Sequence, residues 1–226
     1  YVAMRYPDLS FPFKRYQIGK VYRGERSQKG RFREFYQCDI DIIGDGKLDI
    51  INEAECPSVM CNALHALGID DFQIRINNRK ILNGLFTIFG ASDKKTEILR
   101  TIDKYEKIGR DNVIEGLTDL GVDKDKAGEM LDFVTYAGSN DEIIAKLESL
   151  AGKDPLFDEG VSDLKTVIGA MGAFGCDEKN YRIDLSIARG LDYYTGTVFE
   201  TCFLPDPSIG SICSGGRYDD LAGYFT

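Results

Sequence analysis

The eight residues from Arg189 to Gly196 bring together side chains that are well suited to binding a charged ligand. An arginine, an aspartate and two adjacent tyrosines stand between glycines, just before a strand-like stretch that begins at Val198. The guanidinium is a fixed cation that suits a phosphate or a carboxylate, and tyrosine rings are apolar with one polar end. Glycines let the backbone approach a ligand closely. The run therefore predicts a ligand site that contains Arg189, Tyr193 and Tyr194.

A second candidate site is the segment 23–33 (RGERSQKGRFR), which holds five cationic side chains and one acidic one. The whole chain is acidic, with a net charge of −9, which argues against a broad nucleic-acid footprint. Four of the five cations are arginines, whose forked guanidinium suits phosphate. Such a run is more often a solvated surface loop, and on charge alone the two interpretations are equal.

The cationic segment connects two predicted strands, 16–22 and 35–43. In the second, alternation places Cys38, Ile40 and Ile42 on one face. The other face carries an aromatic ring, an amide and two carboxylates: Phe35, Gln37, Asp39 and Asp41. A face of this kind is usually exposed to solvent, and less often it forms the floor of a site. The neighbouring arginines favour the second interpretation.

The remaining pattern predicts an α+β fold, with helices packed on a mainly antiparallel sheet. Helices are predicted at 53–67, 79–89 and about 160–172, and strands at 72–77, 181–187 and 198–204. Residues 91–155 read as an all-helical insertion, in which Ile98 to Ile108 form one helix and residues 139–142 form a capping box. We therefore divide the chain into core 1–90, insertion 91–155 and core 156–226.

Composition narrows the class of protein. Hydrophobic content of 43% and charged content of 29% are typical of a globular chain. No apolar run is long enough to cross a bilayer, so we expect no membrane among the partners. The six cysteines lack the paired spacing of a metal site, and His65 is the only histidine. We expect no protein-bound metal, a structural role for His65, reduced thiols and a cytoplasmic location.

Three blocks together resemble the histidyl-tRNA synthetase family. FKRYQIGKVYRGERSQKGRFREFYQCDIDIIG is similar to the second signature motif of class II aminoacyl-tRNA synthetases in its histidyl form. RGLDYYTGTVFE and SGGRYDDL resemble the two histidine-specific motifs of the family. The resemblance implies a class II fold and the substrates ATP, histidine and tRNA(His), with Mg²⁺ on the outgoing phosphates. It also implies a homodimer, and an insertion that contacts the tRNA acceptor arm.

The resemblance also implies roles for single residues. For ATP, Arg23 would hold the α-phosphate, Glu25 the adenine amino group, Phe35 the adenine ring and Arg31 the terminal phosphates. For histidine, Gln37 and Asp41 would bind the substrate, and Asp41 would pair with a positive charge of the substrate such as its α-ammonium. Tyr193 and Tyr194 would form the pocket for the imidazole ring. Arg189 would lie against the α-phosphate, and Arg23 and Arg189, the two catalytic arginines, would also contact histidine.

The implied reaction needs no side-chain nucleophile. The histidine carboxylate attacks the α-phosphorus of ATP, and the histidyl group then passes to the terminal ribose of tRNA(His). The sequence lacks the first and third class II motifs and an anticodon-binding domain, so we expect a fragment of a longer protein that is inactive alone.

Two related functions are possible for such a fold. One is a histidyl-synthetase-like regulatory subunit of ATP phosphoribosyltransferase, which senses histidine without aminoacylation. The other is a pseudo-synthetase domain that binds tRNA to sense its charging. A histidine sensor has no need of phosphate-binding arginines, so the arginine-rich segment and Arg189 favour the enzyme.

Overall fold

The structure is a computed structural model that describes residues 1–27, 29–91, 94–187 and 193–221. The helices are α1 (Val2–Arg5), α2 (Ile51–Ala66), α3 (Arg79–Ile88), α4 (Lys95–Ile102), α5 (Tyr105–Asp119), α6 (Lys124–Val134), α7 (Asn140–Glu148) and α8 (Pro155–Ala173). The strands are β1 (Phe13–Tyr22), β2 (Glu34–Ile43), β3 (Phe72–Asn78), β4 (Tyr181–Ile183), β5 (Thr197–Phe203) and β6 (Ser211–Gly216).

In the described ranges, these strands form two sheets. β1 and β2 make an antiparallel hairpin, whose register sets Arg15 opposite Asp41 and Val21 opposite Phe35. The other sheet has the order β4-β3-β5-β6, in which only the β3–β4 pairing is parallel. The predicted α+β class and its mainly antiparallel strands are confirmed.

The strand predicted at 181–187 is shorter than expected, because β4 ends at Ile183. The carboxylate of Asp184 accepts hydrogen bonds from the backbone N–H and the hydroxyl of Ser186, at 3.0 and 2.5 Å. The N–H of Ile187 also bonds back to the carbonyl of Asp184. A side chain that satisfies its own local backbone competes with the strand ladder, and here it turns the chain.

The single helix predicted from Ile98 to Ile108 is wrong, because α4 ends at Ile102 and α5 begins at Tyr105. Within α5, Gly109 has a φ of 79°, a conformation that glycine adopts readily and that kinks the helix. The predicted capping box is confirmed at the start of α7. Ser139 N–H donates to Glu142 Oε2 at 2.8 Å, and Glu142 N–H donates to Ser139 Oγ at 3.3 Å.

The hydrophobic core lies between the four-stranded sheet and helices α2, α3 and α8, and it continues into α4–α7. β3 contributes the buried side chains of Phe72, Ile74 and Ile76. His65 packs its ring on Phe72 and its Nδ1 lies 2.6 Å from an Asp70 carboxylate oxygen, which supports the structural role predicted for it. In the described part of the chain, no helix combines the length and apolar character needed to cross a membrane.

Candidate functional site

The polar face of β2 is the more covered of its two faces. Phe35, Gln37, Asp39 and Asp41 are all partly buried, whereas Cys38 on the opposite face is exposed. On that outer face Tyr16 is 76% exposed and Tyr36 is 69% exposed. Burial raises the pKa of the Cys213 thiol on β6, and the Asp39 carboxylate adds to the rise. The polar face is therefore turned towards the protein, as the floor of a site would be.

The arginine-rich connection folds back over the end of this face nearest to Phe35. The guanidinium carbon of Arg23 lies 4.5 Å from the centre of the Phe35 ring, a cation–π contact. The N–H of Arg23 donates to the carbonyl of Arg33 at 2.8 Å, and Arg33 Nε donates to the carbonyl of Glu25 at 3.2 Å. The side chains of Glu25 and Arg31 are exposed. A cationic, solvent-accessible loop thus borders one face of an aromatic ring.

The same loop is held against the β5–β6 connection. Lys29 Nζ lies 3.1 Å from a carboxylate oxygen of Asp206 and 2.7 Å from the hydroxyl of Ser208. A side chain at Gly30 would approach Ile209 Cγ2 to 3.0 Å, and Gly30 has a positive φ of 71°. Glycine therefore permits both the turn and the close approach of the loop.

At the other end of the inner face, Asp41 is paired with a residue that sequence reasoning missed. Arg15 Nη2 lies 2.5 Å from Asp41 Oδ2, and Arg15 Nη1 donates to Gln17 Oε1 at 3.1 Å. Gln37 Nε2 donates to Asp39 Oδ1 at 2.7 Å. Arg15 could be found only by aligning the two strands in register, because it is the cross-strand partner of Asp41.

Three tyrosines cluster beside Asp41. The ring centres of Tyr193 and Tyr194 are 4.3 Å apart, and those of Tyr193 and Tyr218 are 5.4 Å apart. Burial, a hydrogen bond with Tyr193 and the nearby Asp41 carboxylate all raise the pKa of Tyr194. The three tyrosines therefore form one aromatic cluster, and Asp41 lies close enough to Tyr194 to act on its pKa. Tyr218 is an addition that the glycine–arginine–tyrosine motif could have suggested, since the motif was already singled out.

Glycines allow the cluster to form against the end of β6. An added Cβ at Gly216 would lie 2.9 Å from Tyr194 Cδ1 and 2.7 Å from the carbonyl oxygen of Thr197. Any larger residue would displace the Tyr194 ring or the backbone of β5. Gly216, the second of the paired glycines in SGGRYDDL, is thus required by its packing against Tyr194.

Arg189 lies outside the described residues, as do its neighbours in 188–192. Its predicted role at the α-phosphate therefore has no geometry here. Among the residues that the structure does describe, no group of three or more acidic, histidine or cysteine side chains is placed to hold a metal ion.

Comparison of the sequence with known proteins identifies one family. A family model described as histidyl-tRNA synthetase matches residues 6–226. Histidine–tRNA ligases from Clostridium tetani and Finegoldia magna are each 54% identical to the chain over all 226 residues, and the chain spans 51% and 52% of their lengths.

Two solved structures share the fold. A crystal structure of histidyl-tRNA synthetase from Nostoc sp. has a TM-score of 0.91 and 42% identity, covering 99% of this chain and 52% of that one. A Bacillus halodurans structure, described as an ATP phosphoribosyltransferase regulatory subunit/histidyl-tRNA synthetase, has a TM-score of 0.79 at 24% identity over 99% of this chain and 56% of that one. At that identity the likeness concerns the fold alone. This chain, which spans about half the length of the curated relatives it matches, belongs to the histidyl-tRNA synthetase family.

Proposed function

We propose that the complete protein containing this chain activates histidine with ATP and transfers it to tRNA(His). The observation that carries the proposal is the inner face of the hairpin. Its Phe35 end adjoins the arginine-rich loop, and its Asp41 end adjoins Tyr193 and Tyr194. An anionic, aromatic ligand and a cationic amino acid could thus lie side by side on one strand.

ATP would occupy the Phe35 end. Phe35 would stack on adenine, Glu25 would accept from the adenine amino group, and Arg23 would hold the α-phosphate. Arg31 would reach the terminal phosphates from the exposed part of the loop. Arg23 already lies over the Phe35 ring, so a modest rotation of its side chain would open the ring to adenine and carry the guanidinium towards the phosphate.

Histidine would occupy the Asp41 end. Its α-ammonium would lie near Asp41, with Gln37 as a hydrogen-bonding neighbour, and its imidazole would pack among the rings of Tyr193 and Tyr194. Arg15 balances the charge of Asp41 when no substrate is present, since the two side chains are paired. Arg23 and Arg189 would contact the substrate where its carboxylate meets the α-phosphate.

The chemistry rests on positioning and on charge stabilisation. A carboxylate oxygen of histidine attacks the α-phosphorus, the bond to the bridging oxygen breaks, and pyrophosphate leaves. The terminal ribose hydroxyl of the tRNA then attacks the carbonyl carbon of the adenylate, and AMP leaves. Arg23 and Arg189 would stabilise the extra negative charge that develops at the α-phosphate.

Mg²⁺ would be bound mainly by the phosphates of ATP, where it neutralises charge on the leaving group. This ion typically binds through substrate phosphates and one or two carboxylates rather than through a protein cage.

We also propose the division into core 1–90, helical insertion 91–155 and core 156–226, with the insertion contacting the tRNA acceptor arm. A cytoplasmic homodimer is the expected form of the complete protein. The exposed tyrosines on the outer face of the hairpin support a further covering of that face, by more chain or by a second subunit.

Histidine-dependent exchange between ATP and pyrophosphate in the complete protein tests the proposal. We expect exchange with histidine and with none of the other amino acids, and its loss in Arg189→Ala with histidine affinity little changed. Weaker histidine binding in Arg189→Ala, with an unchanged exchange rate at saturating histidine, would refute the role of this arginine. Histidine binding without any exchange would instead identify a regulatory relative.

A further inference from the structure

A buried ion pair joins the end of β6 to the start of α2. Arg217 Nη1 donates to Glu53 Oε1 at 2.6 Å and to the carbonyl of Leu48 at 3.1 Å. The Glu53 side chain is only 5% exposed, and its other oxygen accepts from the N–H of Thr197 at 3.0 Å. A buried carboxylate is costly unless it is paired and hydrogen-bonded, so this junction holds its partners firmly.

The same guanidinium reaches the segment that carries the tyrosines. Arg217 Nε donates to Asp219 Oδ1 at 2.8 Å, and the Thr195 hydroxyl donates to Asp219 Oδ2 at 2.6 Å. The N–H of Thr195 donates to the carbonyl of Arg217 at 2.9 Å. Although burial opposes it, the bonds from Thr195 and Arg217 hold the pKa of Asp219 below its usual value. Thr195 is thus fixed by side chain and backbone.

Close packing leaves this arrangement little freedom. A Cβ at Gly196 would lie 2.8 Å from Arg217 Cδ and 3.2 Å from Glu53 Oε2. The carbonyl of Gly196 also accepts from the N–H of Arg79 at the start of α3. The residues that directly follow Tyr194 are therefore anchored to α2, α3 and β6 at once.

We propose that Arg217 is a positioning residue which, through Asp219 and Thr195, fixes Tyr193 and Tyr194 and so sets the affinity for histidine. The inference rests on the proposed function, since it assigns the tyrosines to the imidazole pocket. Both Nε and Nη1 of Arg217 are used by protein partners, so its effect would pass through the tyrosine segment.

Steady-state pyrophosphate exchange in the complete protein tests this role. Arg217→Lys keeps the charge but loses the fork that serves two carboxylates at once. We expect KM for histidine to rise about tenfold and KM for ATP to change less than about twofold. Thr195→Val, at an exposed position, removes only the hydroxyl link to Asp219 and should raise KM for histidine about threefold.

Arg110→Lys is the matched control. Arg110 makes three hydrogen bonds to Asp132 between α5 and α6, at 2.9 to 3.1 Å. The same substitution there should leave both KM values unchanged. The melting temperature of every variant is measured alongside, so that a general loss of folding is recognised.

A purely structural Arg217 would give other results. Equal changes of both KM values in Arg217→Lys, or a Thr195→Val variant with unaltered KM for histidine, would overturn the positioning role. If the unmutated protein shows no exchange, the proposed function fails, and calorimetric Kd values for histidine then decide the positioning role. A weaker Kd in both variants supports it, whereas an unchanged Kd, or no histidine binding by the unmutated protein, overturns it.

Discussion

At the scale of single residues, the Asp41 carboxylate interacts with two neighbouring side chains. Its carboxylate is close to Arg15 on the neighbouring strand and to Tyr194 in the aromatic cluster. Arg15 and Asp41 are both more than one-third exposed as side chains, so the pair is solvated and contributes little to stability. Under the proposed function, a substrate ammonium would therefore compete for this carboxylate at low cost.

Substitution of Asp41 tests that competition. In the complete protein, Asp41→Asn should raise KM for histidine by about tenfold to a hundredfold, because a charge-assisted hydrogen bond contributes about 1.5–3 kcal/mol. KM for ATP should stay within about twofold, since Phe35 and Arg23 lie at the other end of the strand. Exchange kinetics at varied histidine and at varied ATP measure both constants.

Glu34→Gln is the control for Asp41→Asn, since Glu34 is on the opposite face of β2 and pairs with Lys20. It should leave KM for histidine as it was. If Asp41→Asn also has no effect, the carboxylate serves only to balance Arg15.

At the scale of elements, α3 and α8 approach each other through glycines. A Cβ at Gly84 would lie 2.6 Å from the Phe157 backbone nitrogen, and one at Gly160 would lie 2.7 Å from the Ile81 backbone nitrogen. Backbone atoms cannot move aside as the end of a flexible side chain can. The contact between these backbones therefore sets the distance between α3 and α8.

Gly160→Ala should lower the free energy of unfolding by about 1–3 kcal/mol, the usual cost of overpacking a core. Gly169→Ala is a control on the same helix, because a Cβ there would meet nothing within 4 Å. It should stabilise the protein by about 0.5–1 kcal/mol through helix propensity alone. Urea unfolding of both variants measures the difference, and equal effects at the two glycines would refute close packing at Gly160.

Local chemistry explains which elements could be predicted. Alternation in the hairpin and the capping box at Ser139 are local signals, and both match the structure. The early end of β4 depends on one carboxylate, Asp184, that turns its own backbone. The apolar spacing continues across the break between α4 and α5, so periodicity alone does not reveal where one helix ends and the next begins.

The missed site residues have a different cause. Arg15 needs the strand register, and Tyr218 and Arg217 need the approach of β6 to α2 and to the tyrosine segment. These are contacts between residues far apart in the chain, which periodicity along one segment does not reveal. The assignment of Asp41, Tyr193 and Tyr194 to one site came from the family resemblance. In the structure Tyr193 packs on Tyr194, and the Asp41 carboxylate raises the pKa of Tyr194.

At the scale of the whole molecule, one sheet joins the chain before helices α4–α7 to the chain after them. β3 and β4 are parallel neighbours, and Arg75 Nε donates to Asp184 Oδ2 at 2.7 Å across 109 positions of sequence. The Arg75 and Asp184 side chains are 16% and 15% exposed. A largely buried pair of this kind is costly to break, because removing one partner leaves the other charge without compensation.

This ion pair should make stability depend on acid. Burial by itself would raise the pKa of Asp184, but the Arg75 guanidinium and the Ser186 hydrogen bonds outweigh it and hold the pKa below its usual 3.8. A carboxyl whose pKa is lower in the folded state stabilises the fold above its unfolded pKa, and that contribution is lost as the pH falls through the folded value.

Asp184→Asn should therefore lower the free energy of unfolding by about 3 kcal/mol at pH 7, and its difference from the unmutated protein should shrink below about pH 4. Urea unfolding at pH 7, 5 and 3.5 measures this, with Asp177→Asn as a control, because the Asp177 side chain is 70% exposed and lies 3.9 Å from Lys179. A difference that stays constant from pH 7 to 3.5 would mean that Asp184 acts through its turn geometry and not through its charge.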